Sequence, residues 1–573
     1  MTEVDSAYDL VIRGGRIVDG TGSEPFVADI AVRQGRIAAV GPDLGPSVEE
    51  FDATGLLVTP GFVDIHTHYD GQVTWENALS PSSNHGVTTI VTGNCGVGFA
   101  PCREQDHEEL VDLMAGVEDI PEVVMTEGLA WNWETFPEYL DVVDSRPHDA
   151  DIAAMLPHSA LRVYVMGDRA VRREPANADD IAQMARLTTE ALEAGAIGFG
   201  TSRAIQQKSF AGVPIPTVGA GEDELRGILG AMADKGSGVF QALSDFDTFR
   251  DVAGEFGMFR RLVSETGRPM SFTLNQKHDD PDGWRALLDM TEQANRDGLP
   301  IKGQVLGRPT GMLMGNDVSV SPFSTSPTYV ELAALPWDAR IGQMRTPAVK
   351  DKILAECVPA KPGSWERRFE LTDPPNYEPD PDRSIAARAE AEGVEPAELA
   401  YRIMLENNGR GLIFAAVQNF ADGSLDAAYE MMVHPDTVLG LGDGGAHCGL
   451  ICDASYPTSM LTLWTRDRTR GPKLTVPQAV RALSSSTAEA VGLCDRGRIA
   501  PGYKADLNVI DYDRLELLAP RVVRDLPAGG RRVVQEARGY VATFVSGVAT
   551  RRDGRPTGAL PGRVVRGSQV QPA

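Results

Sequence analysis

The chain reads as an α/β protein: a (β/α)8 TIM-like barrel joined to a composite β-sandwich built from both chain ends. Three observations predict this. Through the middle of the chain, short apolar runs alternate with amphipathic helical stretches, the pattern of parallel strands with helical crossovers. Both ends are rich in short strands and turns and lack helical periodicity. With 573 residues, 42% hydrophobic and 24% charged, the chain can bury one large core with attachments. The predicted division is 1–58 for the N-terminal part of the sandwich, 59–495 for the barrel and 496–573 for the C-terminal part and tail.

Taken in order, residues 8–13, 16–19, 29–32 and 36–40 read as strands, with Arg33-Gln34-Gly35 as a turn. Pro60-Gly61-Phe62-Val63-Asp64-Ile65-His66-Thr67-His68 opens the barrel. If this stretch is extended, its period of two sends Asp64, His66 and His68 to one side. Further strands are predicted at 88–94, 151–157, 196–201, 238–242, 269–275, 301–306 and 438–443, which makes eight. Helices are predicted at 179–194, 222–235, 256–266 and 284–297, each ending near a glycine. A long insertion, 307–437, separates the last two strands; within it 336–357 and 384–408 read as helical and 359–382 as a loop. It could serve as lid, substrate wall or homo-oligomer contact. The final strands are expected at 502–510 and 540–547.

The net charge of −27, from 81 acidic and 54 basic side chains, argues against nucleic acid and anionic membrane as partners. Six cysteines are few for this length, so no disulfide framework is expected. The start, Met-Thr-Glu-Val-Asp-Ser, has no basic and apolar leader pattern, and no apolar run reaches the length of a membrane span. The expectation is a cytoplasmic protein that acts on a small molecule.

Barrels of this kind carry their chemistry at the C-terminal ends of the strands. Those ends offer His66 and His68, then Gly93-Asn94-Cys95-Gly96, then His158, and finally Gly442-Asp443-Gly444-Gly445-Ala446-His447. Two imidazoles and a carboxylate suit a divalent cation, and a thiolate favours zinc. Zinc can lower the pKa of bound water to about 7, and Asp443 is the candidate general base. His66, His68, Cys95 and Asp443 are therefore the predicted metal ligands, holding one Zn2+ rather than two. Plainer readings stand beside these: Cys95 as a small buried residue, His158 as a satisfied loop histidine, His447 as a neighbour of the site. His85 belongs at the opposite end of the barrel, and His107, His148 and His434 read as surface residues. The glycine-rich run at 442–445 lacks the Lys-Ser/Thr of a phosphate loop.

The stretch from Pro60 to His68, the stretch Gly86-Val87-Thr88-Thr89-Ile90-Val91-Thr92-Gly93-Asn94-Cys95-Gly96 and Gly195-Ala196-Ile197-Gly198-Phe199 together resemble the N-acyl-D-amino-acid deacylase (D-aminoacylase) family of the amidohydrolase superfamily. Arg496-Gly497-Arg498-Ile499-Ala500-Pro501-Gly502-Tyr503-Lys504-Ala505-Asp506-Leu507 resembles that superfamily's return to its sandwich. The resemblance implies a distorted (β/α)8 barrel and zinc-assisted hydrolysis of a small amide. It matches His66, His68 and Asp443 to metal positions, Asp443 to the base, and Cys95 to the zinc thiolate. It also implies two further histidines at the ends of strands five and six, and there the chain departs: these ends read Val239-Phe240-Gln241-Ala242-Leu243-Ser244 and Ser271-Phe272-Thr273-Leu274-Asn275-Gln276-Lys277, without a histidine, and His278 lies just beyond the second. No arginine for a substrate carboxylate stands near Tyr456-Pro457-Thr458. Gln241, Asn275, Gln276 and Gln304 are neutral amides suited to hydrogen-bonding a substrate, and His158 and His447 join them as candidate contacts. Two alternatives remain: a cyclic amidohydrolase of the hydantoinase or dihydropyrimidinase kind, and a metal-poor barrel that binds a small molecule without turnover.

Overall fold

The computed structural model describes residues 8–246, 251–358 and 360–572; the stretch read above for targeting, and residue 359 of the expected loop, lie outside them. Eight parallel strands form one curled sheet in chain order: β1 (Phe62–Asp64), β2 (Val87–Thr92), β3 (Asp151–Pro157), β4 (Gly198–Ser202), β5 (Val239–Leu243), β6 (Met270–Thr273), β7 (Ile301–Val305) and β8 (Thr437–Leu439). Val63, Val91, Met155 and Val438, on β1, β2, β3 and β8, pack with Ile65 and Ile197 beside the strands into one buried cluster. The four predicted helices are present as Ala178–Ala194, Glu222–Lys235, Val252–Thr266 and Gly283–Arg296.

The layer made from both chain ends is a nine-stranded mixed sheet. Its centre joins the two ends directly: Leu507–Ile510 pairs antiparallel with Leu57–Pro60, which in turn pairs parallel with Tyr8–Ile17. Ile12, Ile30, Val58, Leu507, Val509 and Phe544 form its own buried cluster. Because Leu57–Pro60 runs almost directly into β1, this sheet fixes where the first barrel strand begins.

Between β7 and β8 the chain builds a compact unit. Thr310–Met314 and Arg368–Glu370 pair antiparallel on either side of Ile413–Gln418. Helices that include Trp337–Met344, Pro347–Glu356, Ile385–Glu392 and Pro396–Gly409 cover them, around Phe323, Ile341, Met344, Tyr401 and Met404. The stretch expected as loop thus contains a short strand, Arg368–Glu370. Its register is set by the partner, since Phe369 sits opposite Phe414 in the pairing and each is about 1–2% exposed.

One histidine expectation changes here. His148, expected at the surface, is 1% exposed and hydrogen-bonds the Val73 carbonyl at 3.0 Å. His85 is fully buried between Thr458 Oγ1 (2.8 Å) and the Gln535 carbonyl (2.8 Å). Among the described residues, no helix is long and apolar enough to cross a membrane.

Candidate active site

β1 stops at Asp64, so the expected alternation does not continue through His68; the two histidines sit on the segment just past the strand end. What holds that segment is the stretch following β8. The Asp443 amide donates to the His66 carbonyl (3.2 Å), the His68 amide donates to the Gly444 carbonyl (2.8 Å), and Thr67 and Gly444 form a parallel bridge. The seam between first and last strand is thus spanned by the histidine pair and by Asp443 themselves. After β2 the chain turns sharply: Gly93 (φ 81), Cys95 (φ 53) and Gly96 (φ 68) are left-handed. A Cβ on Gly96 would lie 2.8 Å from Thr201 Cα and 2.9 Å from the Gly200 carbonyl oxygen, so only glycine fits. The Cys95 amide donates to Gln241 Oε1 on β5 at 2.9 Å.

These turns bring four groups together. His66 Nε2 lies 3.4 Å from Cys95 Sγ and 3.4 Å from Asp443 Oδ1, and His68 Nε2 lies 3.6 Å from the same oxygen. The ligand atoms of His66, His68 and Cys95 all fall within 4.8 Å of one another, the one such His/Cys/Asp/Glu group among the described residues. His66 Nδ1 contacts Gln304 Oε1 at 2.7 Å, and Gln304 Nε2 donates to Ser271 Oγ at 2.8 Å. Since the amide oxygen can only accept, this contact calls for a proton on Nδ1 and turns Nε2 toward the thiol and the carboxylate.

Electrostatics agree with this grouping. Burial pushes the His66 imidazole down, but the Cys95 sulfur and Asp443 outweigh it and raise its pKa to about 9. Burial also opposes charge on His68, yet Glu118, Asp443 and Cys95 hold it well above its ordinary value. Burial raises the Cys95 thiol, and the two imidazoles more than reverse that. Asp443 is likewise pushed up by burial and pulled well below the carboxylate range by His68 and His66. A sulfur and a carboxylate both driven toward their anions, facing two imidazoles, form a donor set that fits a divalent cation.

Beside this cluster opens a cavity of about 210 Å³ lined by His66, His68, Cys95 and Asp443 together with Glu118, Asn275, Gln418 and His447. Of the predicted substrate contacts, Asn275 and His447 line it. Gln241 and Gln304 do not; they lie behind it and hold Cys95 and His66. Gln276 is turned toward the insertion, donating to Asp422 Oδ2 (2.7 Å) and accepting from the Ala421 amide (3.0 Å). His158 is buried away from the cavity between Thr201 Oγ1 (2.7 Å) and Glu224 Oε1 (2.8 Å), with Arg162 on the other carboxylate oxygen. His278 binds the Ala416 carbonyl at 3.0 Å and lies outside the lining. Sequence reasoning missed Glu118, Gln207, Thr310 and Gln418, which come from a helix end, a loop and the insertion sheet rather than from barrel strand ends. Only Glu118 left a trace: an acidic pair, Glu118-Asp119, closes a helix whose C-terminal dipole disfavours it.

Comparison with known proteins agrees with this architecture. An uncharacterized protein of Mycobacterium tuberculosis (strain ATCC 25618 / H37Rv) is 28% identical over 552 residues, 89% of this chain and 85% of its own. D-aminoacylase of Alcaligenes xylosoxydans xylosoxydans is 37% identical over 204 residues, 35% of this chain and 39% of that protein. The crystal structure of N-acyl-D-glutamate deacylase from Bordetella bronchiseptica, complexed with zinc and a phosphonate inhibitor, shares the fold with a TM-score of 0.65 at 22% identity, covering 98% of this chain and 100% of that one. The amidohydrolase family model matches residues 49–551. A match over that span, on a barrel whose seam is closed by its own histidine pair, places this chain in the amidohydrolase family.

Proposed function

We propose that the chain is a metal-dependent amidohydrolase that adds water across the C–N bond of a small N-acyl compound. The observation that carries this is the convergence of His66, His68, Cys95 and Asp443 at the strand ends beside an open cavity. A zinc ion held by these residues would supply a water of lowered pKa and polarise the substrate carbonyl. Asp443, held as a carboxylate, accepts a proton from the attacking water as oxygen bonds to the carbonyl carbon. The same carboxyl then returns the proton to the amide nitrogen as the C–N bond breaks, leaving a carboxylate and an amine. Asn275 and Gln418, joined by a 2.8 Å hydrogen bond on the cavity wall, offer neutral donors and acceptors to orient the substrate amide. One ion is favoured over two because the ends of β5 and β6 carry no histidine, and the oxygen of Gln241 on β5 is already used by the Cys95 amide.

One observation favours a second reading. Cys95, His66 and Gln304 stand in sequence as thiol, imidazole and orienting amide, an order that also suits a thiol nucleophile. Metal content separates the two. Protein stripped with chelator should lose turnover on a panel of N-acyl-D- and N-acyl-L-amino acids, hydantoins and arylamides, and regain it with Zn2+. Asp443→Asn should stay folded and lose about 10²- to 10⁴-fold in turnover. Turnover that survives full chelation, or an unchanged Asp443→Asn enzyme, refutes the metal reading.

A further inference from the structure

The helix His107–Glu118 ends at the cavity, and its last residues are used in an unusual way. Asp119 is left-handed at φ 49, and its carboxylate accepts from Ser319 Oγ (3.0 Å) and the Gly449 amide (3.3 Å). The Glu118 carbonyl accepts the amide of His447, itself left-handed at φ 48. The Glu118 side chain is 1% exposed, and no lysine or arginine pairs with it among the described residues. Its two oxygens face two imidazoles instead: Oε1 lies 3.5 Å from His68 Nδ1, and Oε2 lies 3.5 Å from His447 Nε2. Neither His68 Nδ1 nor Glu118 Oε1 has a hydrogen-bond partner, and both are buried.

A buried carboxylate with no lysine or arginine beside it costs several kcal/mol unless another group compensates it. A helix C-terminus adds to that cost. We propose that Glu118 is a positioning residue: its carboxylate bridges His68 and His447, keeps the His68 proton on Nδ1 so that Nε2 faces the ligand cluster, and fixes His447 at the cavity wall. The two histidines of the cluster are then oriented by different devices, His66 by the neutral amide of Gln304 and His68 by a carboxylate. A carboxylate behind a metal-bound imidazole raises its basicity as well as setting its orientation, and losing such a partner typically costs 10- to 100-fold in metal affinity.

This inference rests on the metal reading, and the test keeps the two apart. Zinc affinity of the full-length wild type, Glu118→Gln and Glu118→Ala is measured by competition with a chromophoric chelator, with the melting temperature of each metal-free protein recorded. The expected order is wild type tightest, Glu118→Gln weaker because its single amide oxygen can serve only one ring, and Glu118→Ala weakest, by about 10- to 100-fold. Glu118→Gln keeps the shape of the side chain, so loss of packing would not weaken it; this variant also carries the test if Glu118→Ala does not fold. Folded variants that bind zinc as tightly as the wild type overturn the positioning role while leaving the metal site standing. Wild-type protein that takes up no zinc overturns the metal reading, and this inference with it, before any variant is compared.

Discussion

Replacing Gln304 by Leu tests whether the His66 tautomer is set from behind. Gln304 is 1% exposed, and its Oε1 is the one partner of His66 Nδ1, at 2.7 Å. Leucine fills similar space but offers no acceptor. In the metal-free variant the ring can turn or shift its proton, and part of the loss is relieved. With the cation bound, Nε2 must face the cluster, which leaves Nδ1–H buried without a partner, at a cost of about 1–3 kcal/mol. Because that cost falls mainly on the bound state, it appears as weaker binding, about 5- to 150-fold at about 1.4 kcal/mol per decade. The range expected for losing a partner behind a metal ligand, about 10- to 100-fold, lies inside it. Competition titration with zinc, alongside urea unfolding of the metal-free protein, reads both quantities. A folded Gln304→Leu protein with wild-type zinc affinity would refute the assignment of His66 Nε2 as the ligand atom.

Two further outcomes follow from the surrounding structure. Burial drives the His85 imidazole down to about 3 from an ordinary value of 6.5, so the folded state holds fewer protons than the unfolded chain between those values. Stability should be complete above about pH 6.5 and fall by up to about 1.4 kcal/mol per pH unit below it; urea midpoints of wild type and His85→Gln that run parallel from pH 7 to 4 would contradict this. Gly96→Ala puts a methyl against the Thr201 Cα and the Gly200 carbonyl oxygen in a left-handed conformation, so it should lower stability by about 1–3 kcal/mol and loosen zinc by displacing Cys95; an unchanged melting temperature and zinc affinity would show that the turn has room the structure does not display.

The barrel was legible because its signals are local. Strand runs such as 151–157 and helices such as 222–235 match the structure residue for residue, since apolar periodicity and the following glycine act within one element. The strand ends were less legible. β1 ends at Asp64, four residues before His68, because the backbone beyond it bonds to the segment after β8 rather than to a neighbouring strand, and no single stretch of sequence carries that pairing. His148 and His158 show the same limit. His148 reads as a surface residue in sequence and His158 as a loop histidine, yet each is enclosed by partners distant in the chain, Val73 for one and Thr201 with Glu224 for the other.

The amides are where composition and position point in different directions. Gln241 and Gln304 are polar residues on strands whose ends face the mouth, which reads as substrate contact, and the resemblance implied a histidine at the end of the strand that carries Gln241. The structure uses both one layer deeper. Gln241 spends its oxygen on the Cys95 amide and Gln304 on His66 Nδ1, so each fixes a donor of the cluster instead of entering the cavity. Glutamine at 241 offers an acceptor to the backbone that carries the thiol. On the metal reading proposed above, fewer ligands are matched by a firmer hold on those that remain, with Gln241 behind Cys95, Gln304 behind His66 and Glu118 behind His68. The site that results depends on its supporting layer, and substitutions at Gln241 and Gln304, which lie outside the lining, should weaken the hold on a cation without touching the cavity wall.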